Sequence, residues 1–193
     1  MDLEKQKENF KNHIATFTDY GNIKIVDFKE PNSSHYRIRF LFEEDYCRLH
    51  ISGDLGELVA TNYSNMRFEK FSDFVNDTCY FEGKIDCHSR PIYVYDEDKA
   101  REDLKKLIEK YDLEDNFMSE RYDFETLDDV IDDILGDFDS DRGIGSKGYD
   151  IASEHISGFF EDVGYIGKEK TGILDLYMLA FKLAMEKLNI QLN

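Results

Sequence analysis

The stretch HYRIRFLFEEDYCRLHISGDLGELVATNY, residues 35–63, decides the fold. Its first segment, HYRIRFLF at 35–42, alternates apolar and polar residues with a period of two, which is typical of a strand with one buried face. CRLHIS at 47–52 and GELVATNY at 56–63 are further strand candidates, and the connectors EEDY and GDLG favour tight turns. The stretch therefore predicts three consecutive antiparallel strands. In the first of them the apolar residues are Tyr36, Ile38, Phe40 and Phe42, and the polar ones are Arg37 and Arg39.

Toward the N-terminus, IKIVDFK at 23–29 adds a fourth strand through the turn-forming connector PNSS. Residues 2–18 place apolar side chains at helical spacing, which predicts an amphipathic helix before the sheet. These apolar positions are Leu3, Phe10, Ile14 and Phe17. We therefore expect an α+β protein with an N-terminal helix, a four-stranded antiparallel β-meander and a mostly helical C-terminal half.

After the meander, FEKFSDFVND at 68–77 has a helical stripe, and CYFEGKID and PIYVYD are short extended segments. From Tyr95 onward the apolar spacing is helical, apart from DRGIGSKG at 141–148, whose glycines favour a flexible loop. We expect a division near residue 96, with helix plus sheet in 1–95 and an acidic helical region in 96–193 packed on it as one compact unit. The predicted helices of the second region span 96–113, 123–136, 149–164 and 171–189.

The composition bounds the classes of partner. Hydrophobic residues make up 41% and aromatic residues 14% of the 193 residues, which argues for a packed core and against disorder. The net charge of −18 opposes direct binding of nucleic acid or of an anionic membrane, because both need basic protein surfaces. A basic protein surface is the natural partner of such a charge. The alternative is that the charge only maintains solubility.

The negative charge is concentrated in FETLDDVIDDILGDFDSD, residues 124–141, which holds eight acidic residues and no basic one. The window 96–141 contains 19 acidic and 6 basic residues. On a helix, the DDVIDD segment carries roughly one carboxylate per 2 Å of rise, close to the charge density of duplex DNA. We therefore predict a DNA-mimicking, partner-binding surface, and the alternative is a solvated helix face. The predicted contact residues are Asp128, Asp129, Asp132, Asp133, Asp137, Asp139 and Asp141.

Part of this stretch is similar to a calcium loop, with aspartates at positions 137, 139 and 141. The pattern then fails, because Arg142 replaces the glycine and Gly148 replaces the glutamate that such a loop needs. A loop at a helix C-terminus fits the segment better. We expect no calcium site.

A zinc site is the other metal hypothesis. Cys79, Cys87 and His88 have the spacing C-x7-C-H, which is not that of a standard zinc motif, and a fourth ligand would have to be Cys47, His50 or an acidic residue. Residues 47 and 50 lie three apart in one predicted strand and so face opposite sides of the sheet. We expect no metal and no cofactor, and we expect the cysteines to act as buried small hydrophobic residues.

Catalytic motifs are weak in this sequence. There is no GxSxG motif, and the adjacent Cys87 and His88 do not place a base against a thiol. GIGSKG at 143–148 resembles half of a phosphate-binding loop, but no strand precedes it. We expect that the protein is not an enzyme.

The final helix is apolar over more than one stripe across 173–188. This pattern fits a core helix, and the alternative is a homodimer interface. The charged N-terminus MDLEKQKENF lacks the apolar segment of a signal peptide, and the three cysteines have no disulfide spacing. We therefore expect a reduced, unprocessed protein of the cytoplasm.

YRIRFLFEEDYCRLHISGDLGELVATNY, followed by CHSRPIYVYDED, resembles small acidic proteins encoded by phages and mobile elements of Gram-positive bacteria. Some of these are type II-A anti-CRISPR proteins, which bind and inhibit Cas9. The resemblance covers roughly residues 23–111 and transfers no individual binding residue.

The resemblance implies an anti-CRISPR function in the host cytoplasm. Cas9 holds its guide and target in positively charged channels. An acidic face could bind Cas9 or its guide RNA complex as a DNA mimic and block DNA binding or cleavage. The alternative is a non-enzymatic phage or host accessory protein that assembles through its C-terminal helix and whose acidic face is only solvated.

Overall fold

The sheet and the acidic helices belong to two different units of the chain. One unit comprises Met1–Ile92 together with Gly172–Asn193, and we call it the sheet unit. The other comprises Tyr93–Thr171, and we call it the helical unit. The first division lies close to the boundary expected at residue 96, whereas the last helix belongs to the sheet unit. The computed structural model describes residues 2–111, 126–155 and 162–189.

An antiparallel sheet with its strands in sequence order forms the sheet unit. The prediction of an α+β fold with an N-terminal helix, an antiparallel meander and a helical C-terminal half is confirmed, but the sheet has six strands instead of four. The strands are β1 (Ile14–Asp19), β2 (Ile23–Lys29), β3 (Ile38–Glu43), β4 (Arg48–Gly53), β5 (Leu58–Thr61) and β6 (Ile85–His88).

Strand β1 corrects the prediction of a helix over residues 2–18. The helix α1 covers only Leu3–Asn9 and begins at Asp2, whose side chain accepts hydrogen bonds from two backbone N–H groups. The following segment IATFTD alternates β-branched residues with smaller or aromatic ones, which favours an extended chain. It pairs with β2 in a register that sets Phe17 opposite Val26.

The segment after β5 also differs from expectation. The stripe at 68–77 forms a short 3-10 helix, Phe68–Lys70, and the helix α2, Ser72–Val75. The predicted extended segment CYFEGKID begins as the helix α3, Thr78–Glu82, because the carboxylate of Asp77 accepts a hydrogen bond from the backbone N–H of Tyr80. Only its second half is extended, as β6.

The last helix, α7 (Ile173–Leu188), packs against one face of the sheet and forms the core of the sheet unit. The Phe181 ring lies 5.1 Å from that of Phe40 on β3 and 4.8 Å from that of Phe71. Nine of its sixteen residues are buried. The apolar surface that suggested a homodimer through 173–188 is therefore mostly used inside the unit, and a dimer through this helix stays a prediction.

The helical unit has its own core. A two-stranded sheet of β7 (Tyr93–Tyr95) and β8 (Lys168–Lys170) joins its ends. Its described helices are α4 (Glu97–Lys110), α5 (Leu127–Ile134) and α6 (Ser146–His155). The predicted helices 96–113, 123–136 and 149–164 extend in part outside the described residues. The buried residues of this core are Ala100, Leu104, Leu107, Ile108, Val130, Ile131, Ile134, Leu135, Ala152 and Ile166.

The glycine-rich segment 141–148 is a tight turn that leads directly into α6, and not the flexible loop expected from its composition. Gly143 adopts a φ of +82° beside the ring of Tyr95, where a side chain would be strained. A Cβ atom on Gly148 would overlap the backbone carbonyl oxygen of Ile134. The glycines therefore permit close packing of α5, the turn and α6.

Candidate functional site

The acidic residues of α5 face basic residues of α4 across a helix pair. The Arg101 guanidinium lies 2.6 Å from the carboxylate of Asp132, and the Lys105 ammonium lies 2.8 Å from that of Asp128. Arg101 and Lys105 are four residues apart on α4, and Asp128 and Asp132 are four residues apart on α5. The two ion pairs therefore lie one helical turn apart. The spacing of these two aspartates thus has a structural explanation within the unit.

These ion pairs remain open to solvent. The side chains of Asp128 and Asp132 are 65% and 61% exposed. The hydrogen bond and charge of Lys105 hold the pKa of Asp128 below its usual range, so the carboxylate stays ionised. Because exposed ion pairs of this kind are weak in water, both carboxylates remain accessible to the cations of a partner.

The other two aspartates of the helix also have local partners. Asp129 and Thr126 form a capping box at the start of α5. The Thr126 hydroxyl accepts a hydrogen bond from the backbone N–H of Asp129, and the Asp129 carboxylate accepts one from the backbone N–H of Thr126. The Asp133 carboxylate lies 2.6 Å from the Lys147 ammonium, and this hydrogen bond raises the pKa of Lys147. Asp129 and Asp133 therefore help to fix the two ends of α5.

Asp137 holds the start of α6. Its carboxylate accepts hydrogen bonds from the backbone N–H groups of Lys147, at 2.9 Å, and Gly148, at 3.1 Å. These are N–H groups of the first helical turn, which have no partner inside the helix, so Asp137 acts as a cap from outside the helix. This contact gives Asp137 a structural role within the helical unit.

Asp139 stabilises the turn before α6. Its carboxylate accepts a hydrogen bond from the backbone N–H of Asp141 at 2.9 Å and lies 3.7 Å from the Arg142 guanidinium. Carboxylates turned toward N–H donors in this way are not arranged around a cation. Within residues 2–111, 126–155 and 162–189, no group of three His, Cys, Asp or Glu side chains is placed to hold a metal ion.

Six of the seven predicted contact residues thus have a contact within the helical unit. The carboxylate of Asp141 is exposed and, in the described part of the chain, has no ion pair. Further exposed acidic residues lie outside the predicted stretch, among them Glu109 on α4 and Asp150 on α6. A pattern of clustered aspartates does not single out these two, because neither has an acidic residue next to it in sequence.

The charge of the chain divides unequally between the units. Residues 93–171 contain 24 acidic and 10 basic residues, a net charge of −14, whereas the rest of the chain contains 18 and 14, a net charge of −4. The ion pairs of α5 therefore neutralise only part of the helical unit. The predicted acidic surface is a property of this unit as a whole more than of the single helix α5.

A second candidate site lies on the face of the sheet opposite α7. It is an open groove of about 640 Å³ across β3, β4, β5 and the end of β6. In it the His50 Nε2 atom lies 2.9 Å from the Glu43 carboxylate, and the Arg39 guanidinium donates two hydrogen bonds, at 2.7 and 2.9 Å, to Asp27. Glu43 and His50 are thus paired with each other inside the groove, and Arg39 is paired with Asp27 beside it.

The cysteines of the zinc hypothesis differ in their exposure to solvent. Cys47 precedes β4 and is buried, and its sulfur lies 3.4 Å from the Arg67 Nε atom. Cys79 and Cys87 are exposed, so the expectation of buried cysteines was wrong for these two. The Nδ1 atom of His88 lies 2.7 Å from the carbonyl oxygen of Arg90, so one of the two ring nitrogens of His88 already has a partner.

Comparison with known proteins gave no match to any family model, curated protein or solved structure. In the part of the chain that the structure describes, no helix has the length and apolar character needed to cross a membrane.

Proposed function

We propose that the protein acts by binding, without chemistry of its own, and that its helical unit docks on the basic surface of a nucleic-acid-handling protein. The observation that carries this proposal is the unequal division of charge, with a net −14 on residues 93–171 and −4 on the rest. A solubility role alone would not require the two units to differ in this way.

The contacts of α5 support a rigid acidic surface. The ion pairs of Asp128 and Asp132 and the caps formed by Asp129 and Asp137 fix the helices that present the charge. A partner then loses little conformational entropy in ordering the carboxylates, and complementary charge accelerates its association. The same carboxylates can therefore serve structure and binding together.

Cas9 is the target that the resemblance of residues 23–111 implies. Its channels for guide and target nucleic acid are positively charged, and an acidic protein that occupies them excludes DNA by steric and electrostatic competition. The proposed setting is the cytoplasm of the host cell, and the proposed role is that of an anti-CRISPR inhibitor.

The structure changes which residues should be substituted first. Replacing Asp128, Asp132 or Asp137 removes a charge and a contact of the fold at once. Glu109, Asp141 and Asp150 are exposed and form no ion pair in the described part of the chain. Their substitution therefore separates the effect of charge from an effect on folding. 

The test compares two triple variants with the same net charge. The helical-unit variant carries Glu109→Gln, Asp141→Asn and Asp150→Asn. The control carries Glu8→Gln, Asp45→Asn and Glu186→Gln, at exposed positions of the sheet unit. Each variant changes the net charge from −18 to −15.

Binding to guide-loaded Cas9 is measured by fluorescence anisotropy at low salt. We expect the helical-unit variant to bind about fivefold more weakly, from a few tenths of a kcal/mol per exposed charge, and the control to bind as the unchanged protein does. Equal weakening by both variants would contradict a role of the helical unit. Absence of binding by the unchanged protein would contradict Cas9 as the target.

A further inference from the structure

The strand β1 leaves one edge of the sheet open. It is the first strand in the order of the six-stranded sheet, and in the described residues no strand pairs with its outer side. Its pairing with β2 is regular from Ile14 to Asp19, without a bulge. Residues 14–18 contain no charged residue and no proline. Bulges, prolines and charges along the strand are devices by which proteins commonly protect a sheet edge, and β1 has only the charge of Asp19, at its end.

The peptide groups that point outward from this edge can be identified. The backbone N–H of Tyr20 donates to the carbonyl oxygen of Ile23 at 2.8 Å, so these two residues form a hydrogen-bonded pair at the end of the hairpin. Hydrogen-bonded and non-hydrogen-bonded pairs alternate along antiparallel strands. The peptide groups of Ala15, Phe17 and Asp19 therefore point away from β2, toward the open side.

The opposite edge of the sheet is better protected. The strand β6 has only four residues, and its pairing with β5 shifts register between Val59 and Ala60. It also carries the charged residue Asp86, whose carboxylate accepts a hydrogen bond from the Thr61 hydroxyl. A short, irregular and charged edge disfavours further pairing. The two edges thus differ, and β1 is the one suited to accept a strand.

We propose that β1 pairs antiparallel with β1 of a second copy of this chain, across a two-fold axis at Phe17. In this register Phe17 faces the partner's Phe17, and Ala15 faces the partner's Asp19, so all outward-pointing peptide groups of both copies are paired. A shift by two residues leaves peptide groups unpaired at both ends. A shift by one residue places outward-pointing groups opposite inward-pointing ones.

The side chains favour the same register. Thr16 of each copy faces the partner's Thr18 on the outer face of the joined sheet, and threonine pairs of this kind stabilise antiparallel strands. Asp19 faces Ala15 and not a second Asp19, which avoids repulsion between like charges. Apart from Asp19 at its end, the edge has no charge that would complement a foreign charged strand, whereas it matches its own copy under two-fold symmetry.

The charge of the chain sets the salt dependence of this dimer. Each copy carries a net charge of −18, so long-range repulsion opposes association and salt weakens that repulsion. We expect the dimer to become stronger as ionic strength rises. Binding of the helical unit to a basic partner has the opposite dependence, so the two proposals can fail separately.

Cysteine cross-linking tests the register. In a background with Cys79→Ser and Cys87→Ser, which removes both exposed thiols, Thr16→Cys and Thr18→Cys variants are mixed and oxidised. Opposed residues of a non-hydrogen-bonded pair have Cα atoms about 4.5 Å apart, which is within the range of a disulfide. The mixture should form a covalent dimer efficiently, and each single variant alone should not. Cross-linking that is equal in all three samples, or absent, would overturn the register.

A proline substitution tests the edge itself. Ala15→Pro removes an N–H that points outward, so the fold should remain and the dimer should be lost. The control Thr16→Pro removes an N–H that points toward β2 and should destabilise the sheet unit. Sedimentation velocity over a concentration series at about 0.5 M salt, where the Debye length is under about 5 Å, reports the assembly. A monomer at every concentration, or a dimer that Ala15→Pro leaves unchanged, would overturn the proposal.

Discussion

Arg101 on α4 lies 2.6 Å from the carboxylate of Asp132 on α5, one helical turn from the pair of Lys105 with Asp128. The basic residues thus neutralise part of the acidic helix from a neighbouring one. Their removal should strengthen the electric field of the helical unit without altering any carboxylate.

The first prediction uses this relationship. Arg101→Gln with Lys105→Gln changes the net charge from −18 to −20 and frees the carboxylates of Asp128 and Asp132. We expect a few-fold tighter binding to guide-loaded Cas9 at low salt. The matched control, Lys5→Gln with Lys11→Gln, makes the same charge change in the sheet unit and should have little effect. Weaker binding by the Arg101 and Lys105 variant would contradict the role of the helical unit.

A second prediction concerns the cap of α6. Asp137→Ala removes the acceptor of two backbone N–H groups, those of Lys147 and Gly148. Loss of a helix cap costs about 1 kcal/mol, within a range of about 0.5–2 kcal/mol. Urea denaturation followed by circular dichroism should show this loss. Asp141→Ala, which removes an exposed carboxylate without such a role, should change stability by less than about 0.5 kcal/mol; an equal loss in both would refute the cap.

A third prediction compares two glycines. Gly148→Ala places a methyl group against the carbonyl oxygen of Ile134, whereas nothing lies within 4 Å of the position that a Cβ atom would take at Gly164. We expect Gly148→Ala to cost several kcal/mol, because backbone atoms must move apart, and Gly164→Ala to cost little. Thermal unfolding of both variants measures the difference. Similar midpoints would show that the turn is not closely packed.

The fourth prediction concerns pH and His13. Its side chain is 2% exposed, its Nε2–H donates to the Tyr36 carbonyl at 3.2 Å, and its Nδ1 atom has no partner among the described residues. Burial lowers its pKa from the ordinary value of 6.5, and this effect exceeds the opposing effects of the Tyr36 carbonyl and Glu30. A lowered pKa means that the unfolded chain binds the proton more readily, so stability is lost as pH falls below about 6.5.

The control for this prediction is His13→Gln, which retains a donor for the Tyr36 carbonyl but does not titrate. Urea unfolding is measured at pH 7.5 and 5.5, above the range where most carboxylates titrate. The unchanged protein should lose more stability between these values than the variant does. The same loss in both proteins would assign the pH dependence to other groups.

The strands with clear alternation could be predicted from sequence, since residues 23–29 match β2 and 35–63 contain β3 to β5. The strand β1 was missed because Phe10, Ile14 and Phe17 also fit helical spacing. That spacing cannot show that Phe17 pairs with Val26 of the next strand. A tertiary contact thus decides between two readings of one pattern.

The acidic stretch could be found from sequence, but its contacts could not. Asp128 and Asp132 are bound by residues more than twenty positions earlier in the chain. The four-residue spacing that Arg101 and Lys105 share with the two aspartates is the sequence feature that corresponds to these contacts. The glycines of 141–148 predict a flexible loop, because composition does not distinguish a loose loop from a close approach of two backbone segments. Gly148 is required by its contact with Ile134.

The most direct test of the central claim is the salt dependence of binding to guide-loaded Cas9. Affinity is measured from about 0.05 to 0.5 M salt for the unchanged protein and for the variant with Glu109→Gln, Asp141→Asn and Asp150→Asn. If the acidic helical unit is the binding surface, affinity falls steadily with salt and falls less steeply for the variant. An affinity indifferent to salt, or the same slope for both proteins, would contradict it.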